Sequence, residues 1–252
     1  MYCGIPTQRS CARAWAAAAS AINQTRGEGY NVVIDVEDPR NHDDCDNAVI
    51  TLVDRFLKTH DESPVVTVAN TIFPQSLYVK YGAPDFFVVY LRDFDRLTET
   101  KRWGRYFERM TRHQKADGGT YNPLQDLIDK IRRQENAGVR YTSAYELAVY
   151  DPLLDGRSLY GGQCLSFLSF KLHPEHGLML TAMYRNHTYI RRCLGNLIGL
   201  GRLHAFVAKE AGVKLGSLTS VSTHAKLDSG DRWGITEARK LIGQALELLD
   251  DK

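Results

Sequence analysis

The chain has 252 residues, 43% hydrophobic and 25% charged, the balance of one large globular domain or of one core with a smaller appendage. A formal net charge of +2 argues against polymeric nucleic acid as a partner, because its binders carry a strong basic excess. No apolar run reaches the roughly 18 residues of a membrane span. The five cysteines, at 3, 11, 45, 164 and 193, form no CxxC pair, which argues against a zinc ribbon, and are too sparse over this length for a secreted disulfide scaffold, which points to a reducing, cytoplasmic compartment.

Residues 10–25 are rich in alanine (Ala14, Ala16, Ala17, Ala18, Ala19) and predict a helix. The stretch is short and broken by Arg13, so it does not have the order of a leader peptide. Tyr30 to Val36, YNVVIDV, is a β-branched run and predicts a strand, ended by Asp38-Pro39. Ala48 to Lys58 carries Val49, Ile50, Leu52, Val53, Phe56 and Leu57 at helical spacing. Pro64 then opens Val65 to Ala69, which reads as a second strand, and Phe86 to Leu91 reads as another. Leu124 to Arg133 places Leu124, Leu127, Ile128 and Ile131 on one helical face.

HPEHG, at 173–177, predicts a hairpin turn between CLSFLSFKL and LMLTAMY. Thr188 to Ala211 is the longest helical pattern. Its Gly195, Gly199 and Gly201 each weaken a helix by up to about 1 kcal/mol, and together they predict the close approach of another backbone. Gly212 stops it. Val213 to Leu218 leads into SVSTHAKL, a strand with its exit loop, and Thr236 to Leu249 predicts a final amphipathic helix.

Cys164 lies in an apolar run, where a cysteine is commonly a structural residue. Gly161, Gly162 and Gln163 before it give a flexible entry at which a substrate could meet the backbone. The surrounding segments stand in a definite order: WGRYFERM at 103–110, LQDLIDKIRR at 124–133, GVRYTSAY at 138–145, GGQCLSFLSF at 161–170, LMLTAMYRNHTYIRRCLGN at 178–196 and TSVSTHAKL at 219–227. In that order they resemble the catalytic core of the thymidylate synthase and pyrimidine nucleotide hydroxymethylase family. GVRYTSAY is similar to the family's strand R-R-x-x-x-S-A-W, GGQCLSFLSF to its P-C-H-x-x-x-Q-F, YRNH to its R-S-x-D, and STHAK to its D-x-H-x-Y.

The resemblance implies an α/β (α+β) fold with a large mixed sheet flanked by helices. It implies a single domain over 1–252, with a divergent portion at 1–90 and the recognisable core at 100–228. It places the nucleophile on Cys164, whose thiolate would add to C6 of a pyrimidine nucleoside monophosphate and activate C5 for a methyl or hydroxymethyl group. The implied donor is 5,10-methylenetetrahydrofolate or a related reduced folate. Arg185 and Arg140 would hold the phosphate, Arg140 from the other subunit of a homodimer with sheets packed back to back. Asn196 would pair with the base edge, its amide suiting O4 and N3–H of uracil, where cytosine-modifying relatives tend to carry aspartate. His224 would meet the sugar. Guanidinium groups near the thiol are expected to favour its anion.

The chain departs from the pattern at several positions. Leu165 stands for the histidine after the nucleophile, Val139 for the first arginine of the pair, Ser169 for the glutamine and Ser222 for a nearby aspartate. Thr188 stands for the aspartate that holds the folate pterin. Lys226 stands for the tyrosine that shares the sugar contact, where a cation could meet a 2'-hydroxyl, a further phosphate or a carboxylate. No residue of the N-terminal half matches the family's catalytic glutamate, although Asn70 falls in a plausible region. The family's C-terminal strand and closing tail have no counterpart after the histidine segment. A nucleotide-binding protein on the same fold, without folate-dependent transfer, is the alternative reading.

Overall fold

A computed structural model describes residues 2–97, 105–139, 141–156, 162–228, 230 and 232–250. Arg140, Gly161, Trp103 and Gly104, named above, lie outside these residues.

The N-terminal half is mostly helical. After a short edge strand, β1 (Cys3–Gly4), come α1 (Cys11–Gln24), β2 (Glu28–Val36) and α2 (Asp44–Thr59). The Ser10 hydroxyl accepts the Arg13 N–H and donates to Asp46 at 2.5 Å, while Asp43 and Asp46 form a reciprocal capping box at the start of α2. One buried serine–carboxylate contact thus ties the beginnings of the first two helices together.

Two segments expected as strands are helices instead. Val65 to Ala69 belongs to α3 (Val65–Ile72), and Phe86 to Leu91 belongs to α5 (Asp85–Leu97), with α4 (Gln75–Tyr81) between them. The buried residues of α3 are Val65, Val68, Ala69 and Ile72, a three- and four-residue spacing. Those of α5 are Phe86, Phe87, Tyr90 and Phe94. Packing of these faces overrides the β propensity of the valines and phenylalanines.

Next come α6 (Tyr106–Thr111), a small hairpin of β3 (His113–Gln114) and β4 (Thr120–Tyr121), α7 (Pro123–Asn136), β5 (Glu146–Ala148) and α8 (Pro152–Asp155). Residues 141–145 form an irregular bend, so the expected strand through Ser143 and Ala144 begins only at Glu146. Tyr145 is buried there and donates to Gln134 of α7, which fixes the bend against the helix.

The C-terminal half builds most of the sheet. β6 (Leu165–His173) and β7 (Gly177–Tyr184) form the expected hairpin. β8 (His187–Thr188) leads into a π-helical turn, Tyr189–Cys193, which continues into α9 (Leu194–Ala211). β9 (Leu215–Lys226) and α10 (Ile235–Asp250) complete the chain order. The sheet runs β1-β2-β9-β7-β6-β5, with β8 beside β9. Its β1–β2, β9–β7 and β8–β9 pairs are parallel and the others antiparallel.

One parity of strand residues is buried: Val32, Ile34 and Val36 of β2, Leu218 and Ser220 of β9, Leu180 and Ala182 of β7, Leu168 and Phe170 of β6. On that face α1 packs on β2, and α9 on β7 and β9. The other parity, including Phe167, Met183, Val221 and Val33, is only partly covered or exposed. A large mixed sheet with helices against it therefore holds.

The three glycines of α9 lie where other chain segments press closest. A Cβ at Gly195 would sit 2.6 Å from Val68 Cβ, one at Gly199 2.7 Å from the Ala69 carbonyl oxygen, and one at Gly201 2.5 Å from the Pro39 carbonyl oxygen. Their cost in helix propensity is offset by this close packing on α9, of α3 at Gly195 and Gly199 and of the loop before α2 at Gly201. Among the described residues no helix is long and apolar enough to cross a membrane.

Candidate active site

Where α3, α6, the start of β6, β8 and the π-helical turn converge, they leave a cleft of about 510 Å³. Cys164 and Asn196 both line it. Cys164 immediately precedes β6, and Asn196 is in the first turn of α9, so the two come from different walls.

Cys164 is held through its backbone. Its carbonyl accepts the Arg185 N–H at 2.9 Å, and its own N–H donates to the Tyr106 hydroxyl at 3.3 Å. The same hydroxyl lies 3.4 Å from the Leu165 nitrogen. Having accepted two N–H groups, the Tyr106 oxygen keeps its own proton as a donor beside the thiol. Burial first, and then the neighbouring Cys164, push the phenol up to about 12, so it stays protonated at neutral pH.

The expected acidification of Cys164 does not hold. Arg185, Lys226 and Arg192 all favour the thiolate, but burial opposes them, Asp155 adds to the opposition, and the thiol ends above its ordinary value. The cations moderate a desolvation cost that still dominates.

Arg185 is fixed beside the nucleophile. Its Nε–H donates to the Gln163 carbonyl at 3.0 Å and its guanidinium lies 5.5 Å from the centre of the Tyr150 ring. Gly162 makes room for this. Its φ is +80°, and a Cβ there would lie 2.7 Å from Asp155 Oδ1 and 2.9 Å from Arg185 Nη2. Asp155 is in turn gripped by Arg109, whose two Nη groups donate to both carboxylate oxygens, while Nη1 also reaches the Val149 carbonyl at 3.1 Å. Burial works to raise the Asp155 pKa, but Arg109 and the N–H groups of Asp151 and Gln163 outweigh it and hold the carboxyl below its usual range.

Asn196 is buried at 4% exposure. Its amide nitrogen lies 3.0 Å from His187 Nε2. With that N–H donating, Nε2 carries no proton, and Nδ1–H donates to the Ser222 hydroxyl at 3.0 Å. The Tyr189 hydroxyl meets the same Ser222 oxygen at 3.2 Å. His187 stacks on Tyr184 with ring centres 4.0 Å apart, and burial alone lowers its pKa to about 3, so the ring is neutral. This chain orients Asn196 and leaves its Oδ1 and second N–H for a ligand edge.

The remaining expected residues fall at different depths. His224 and Lys226 are on β9 and do not line the cleft. His224 Nδ1 meets Oδ1 of Asn186, itself a lining residue, at 3.0 Å, and Lys226 pairs with Thr188 in the strand register. Asn70 does not face the cleft wall; it accepts from Arg202 at 3.3 Å, whereas Val68 and Thr71 are the α3 residues that line it.

Sequence patterns missed Arg105, Tyr106, His187, Arg191 and Arg192, all of which line the cleft. Arg191 pairs with Glu62 at 3.3 Å and Asp228 at 3.4 Å and lies over Trp233. Arg105 and Arg192 have no carboxylate partner among the described residues. Asp228 also accepts the Ile190 and Arg191 N–H groups, fastening the π-helical turn to the loop after β9. Among the described residues no carboxylate lines the cleft, so Arg105 and Arg192 give it a positive wall suited to an anion, while Arg191 is balanced by Glu62 and Asp228. No family model and no curated protein matches this sequence.

Proposed function

We propose that this cleft binds a pyrimidine nucleoside monophosphate and that Cys164 adds to C6 of its base, activating C5 for one-carbon transfer in the manner of the thymidylate synthase family. The observation that carries the reading is the meeting of Cys164 and Asn196 in one cleft whose cations are Arg105, Arg191 and Arg192; Arg185 does not line it and meets Cys164 through its backbone N–H. In the adduct step the thiolate forms an S–C6 bond. The C5=C6 electron pair moves to C5 and O4, and C5 takes a proton from water. Reversal expels a proton from C5 and then the thiolate. Asn196 can serve both O4 and N3–H of uracil from one amide.

The donor that the resemblance implies is 5,10-methylenetetrahydrofolate or a related reduced folate. A pterin presents amino and ring N–H groups that want an anionic acceptor. This cleft offers arginines, and Thr188 where the family has aspartate. The residues do not fit the ring, and no step is derived through it. The same observation favours a second reading, nucleotide binding without folate-dependent transfer.

Tritium release from 5-tritiated UMP and dUMP, with and without 5,10-methylenetetrahydrofolate, separates the two. Release without folate is expected. Release only with folate would contradict the poor fit of the pterin, and no release from any pyrimidine nucleotide would leave the binding reading.

The homodimer belongs to the same proposal, with Arg140 of each copy serving the other's cleft. In support, Phe167, Met183, Val221 and Val33 stand side by side across four strands on the less covered sheet face, three of them half-buried and Met183 exposed. An apolar row of that kind suits a second copy of the same face. Sedimentation equilibrium is expected to give twice the chain mass for the wild type and the single chain mass for Met183→Glu. A wild type that stays monomeric at high concentration would remove the dimer from the reading.

A further inference from the structure

On the far side of α3 a second cleft, of about 540 Å³, opens between α4, α9 and the loop before α2. It is lined by Arg40, Arg202 and Lys209, with Gln75 and Tyr78 beside them and Phe206 on its floor. Nothing in the proposed chemistry at Cys164 uses it.

Its charges are unbalanced in a particular way. Arg202 is half-buried on α9, and the hydrogen bond of its guanidinium goes to a neutral acceptor, Asn70 Oδ1, at 3.3 Å. Arg40, exposed at the cleft edge, is the charged neighbour that Arg202 feels, and it is also a cation. Neither guanidinium has a carboxylate partner among the described residues. The carboxylate in the lining, Glu210, accepts the Tyr78 hydroxyl at 2.5 Å, with the Lys209 ammonium lying over the Tyr78 ring. A partly desolvated guanidinium is costly without a counter-charge, and a like charge beside it adds to the cost. With Lys209 balanced by the neighbouring Glu210, two guanidinium forks and an amide face one concavity, and from their several directions they satisfy a tetrahedral dianion better than a planar carboxylate.

We propose that this cleft is a second anion site, which takes a phosphate group, free or carried on a small ester, between Arg40 and Arg202. The cleft at Cys164 also has arginines, so the test is made in an Arg105→Gln/Arg192→Gln background, which removes the two unpaired cations there. Calorimetric titration of that protein with inorganic phosphate, with glycerol phosphate and with citrate is expected to show one saturable site for at least one of the phosphates. Tighter binding of the ester identifies an esterified ligand; equal binding identifies free phosphate. Adding Arg202→Gln is expected to weaken the site at least about tenfold, the loss of one strong charge-assisted contact. Adding Arg40→Gln alone, on the exposed edge, is expected to weaken it too and guards against a folding defect at position 202. Unchanged phosphate affinity in both variants, non-saturable binding, or a preference for citrate would overturn the proposal. Because the background lacks Arg105 and Arg192, and the remaining arginine of the first cleft, Arg191, is paired with Glu62 and Asp228, failure here leaves the nucleotide reading intact, and failure of tritium release leaves this one intact.

Discussion

Replacing Cys164 by serine is expected to lower tritium release from 5-tritiated uridine nucleotides by at least about a thousandfold, the scale seen when a covalent nucleophile is removed, with nucleotide affinity unchanged within about threefold. Serine is close to cysteine in shape, and the contacts that hold this position are made by its backbone, to Tyr106 and Arg185. The pocket therefore survives the change, but an alkoxide is far less accessible than a thiolate. The wild-type rate carries a pH signature as well. Burial sets the thiol above its ordinary value despite three nearby cations, so the reactive anion is scarce at neutral pH. Release should climb through pH 8 and beyond instead of levelling near neutrality. Arg185→Gln removes the cation that most favours the anion, so it should move the climb to still higher pH and slow the reaction at pH 8. Full release by the serine variant, or a profile flat from pH 6 to 9, would rule out thiolate attack by Cys164.

The parts of this site that sequence made legible are those carried by order along the chain. Cys164 and Asn196 flank a hairpin, a short strand and a helical turn that the motifs traverse continuously, so matching the order was enough to bring them into one cleft, whereas Arg185, from the same run, does not line it. Arg105 and Tyr106 stand at the start of α6, far away in sequence; their segment WGRYFERM stands in the ordered match, but nothing in it announces that these two side chains pack beside Cys164. Arg192 was hidden for a different reason. In an ordinary helix Arg191 and Arg192 would point about 100° apart, and both would read as a solvated face. The extra width of the π-helical turn lets both line the cleft.

The same limits explain the fold errors. VVTVA and FFVVYL have strand composition, and over five or six residues composition outweighs spacing. The helical spacing emerges only when Ile72 and Phe94 are included. The glycines of α9 were informative because their cost demanded a compensation, and at Gly195 and Gly199 that compensation is the helix α3 that composition had hidden.

Arg109→Ala is expected to destabilise the protein by about 3–5 kcal/mol, the usual cost of removing one partner from a buried ion pair, measured as a lower midpoint in urea with unchanged slope. Arg109 is 5% exposed and Asp155 2%, so truncation leaves an anion with little access to water. The damage should also reach the site, because Asp155 receives the Gln163 N–H and flanks Gly162, the two residues that lead into Cys164. Arg109→Lys restores a charge but not a fork and should recover only part of the loss. A paired Arg109→Met/Asp155→Leu variant removes both charges and should regain most of the stability, yet it cannot restore the Gln163 N–H contact, so activity should stay low while the fold recovers. The sign of the pH dependence follows from Asp155. Its carboxyl is held below the unfolded value, so the contribution of the pair is present above about pH 4 and is lost as pH falls through the folded value. Wild type and Arg109→Ala should therefore converge in stability in strong acid. If the alanine variant unfolds at the wild-type urea concentration at pH 7, the pair does not hold this loop in place. If the paired variant recovers both stability and activity, the route from Arg109 through Asp155 to Cys164 is not the one the site uses.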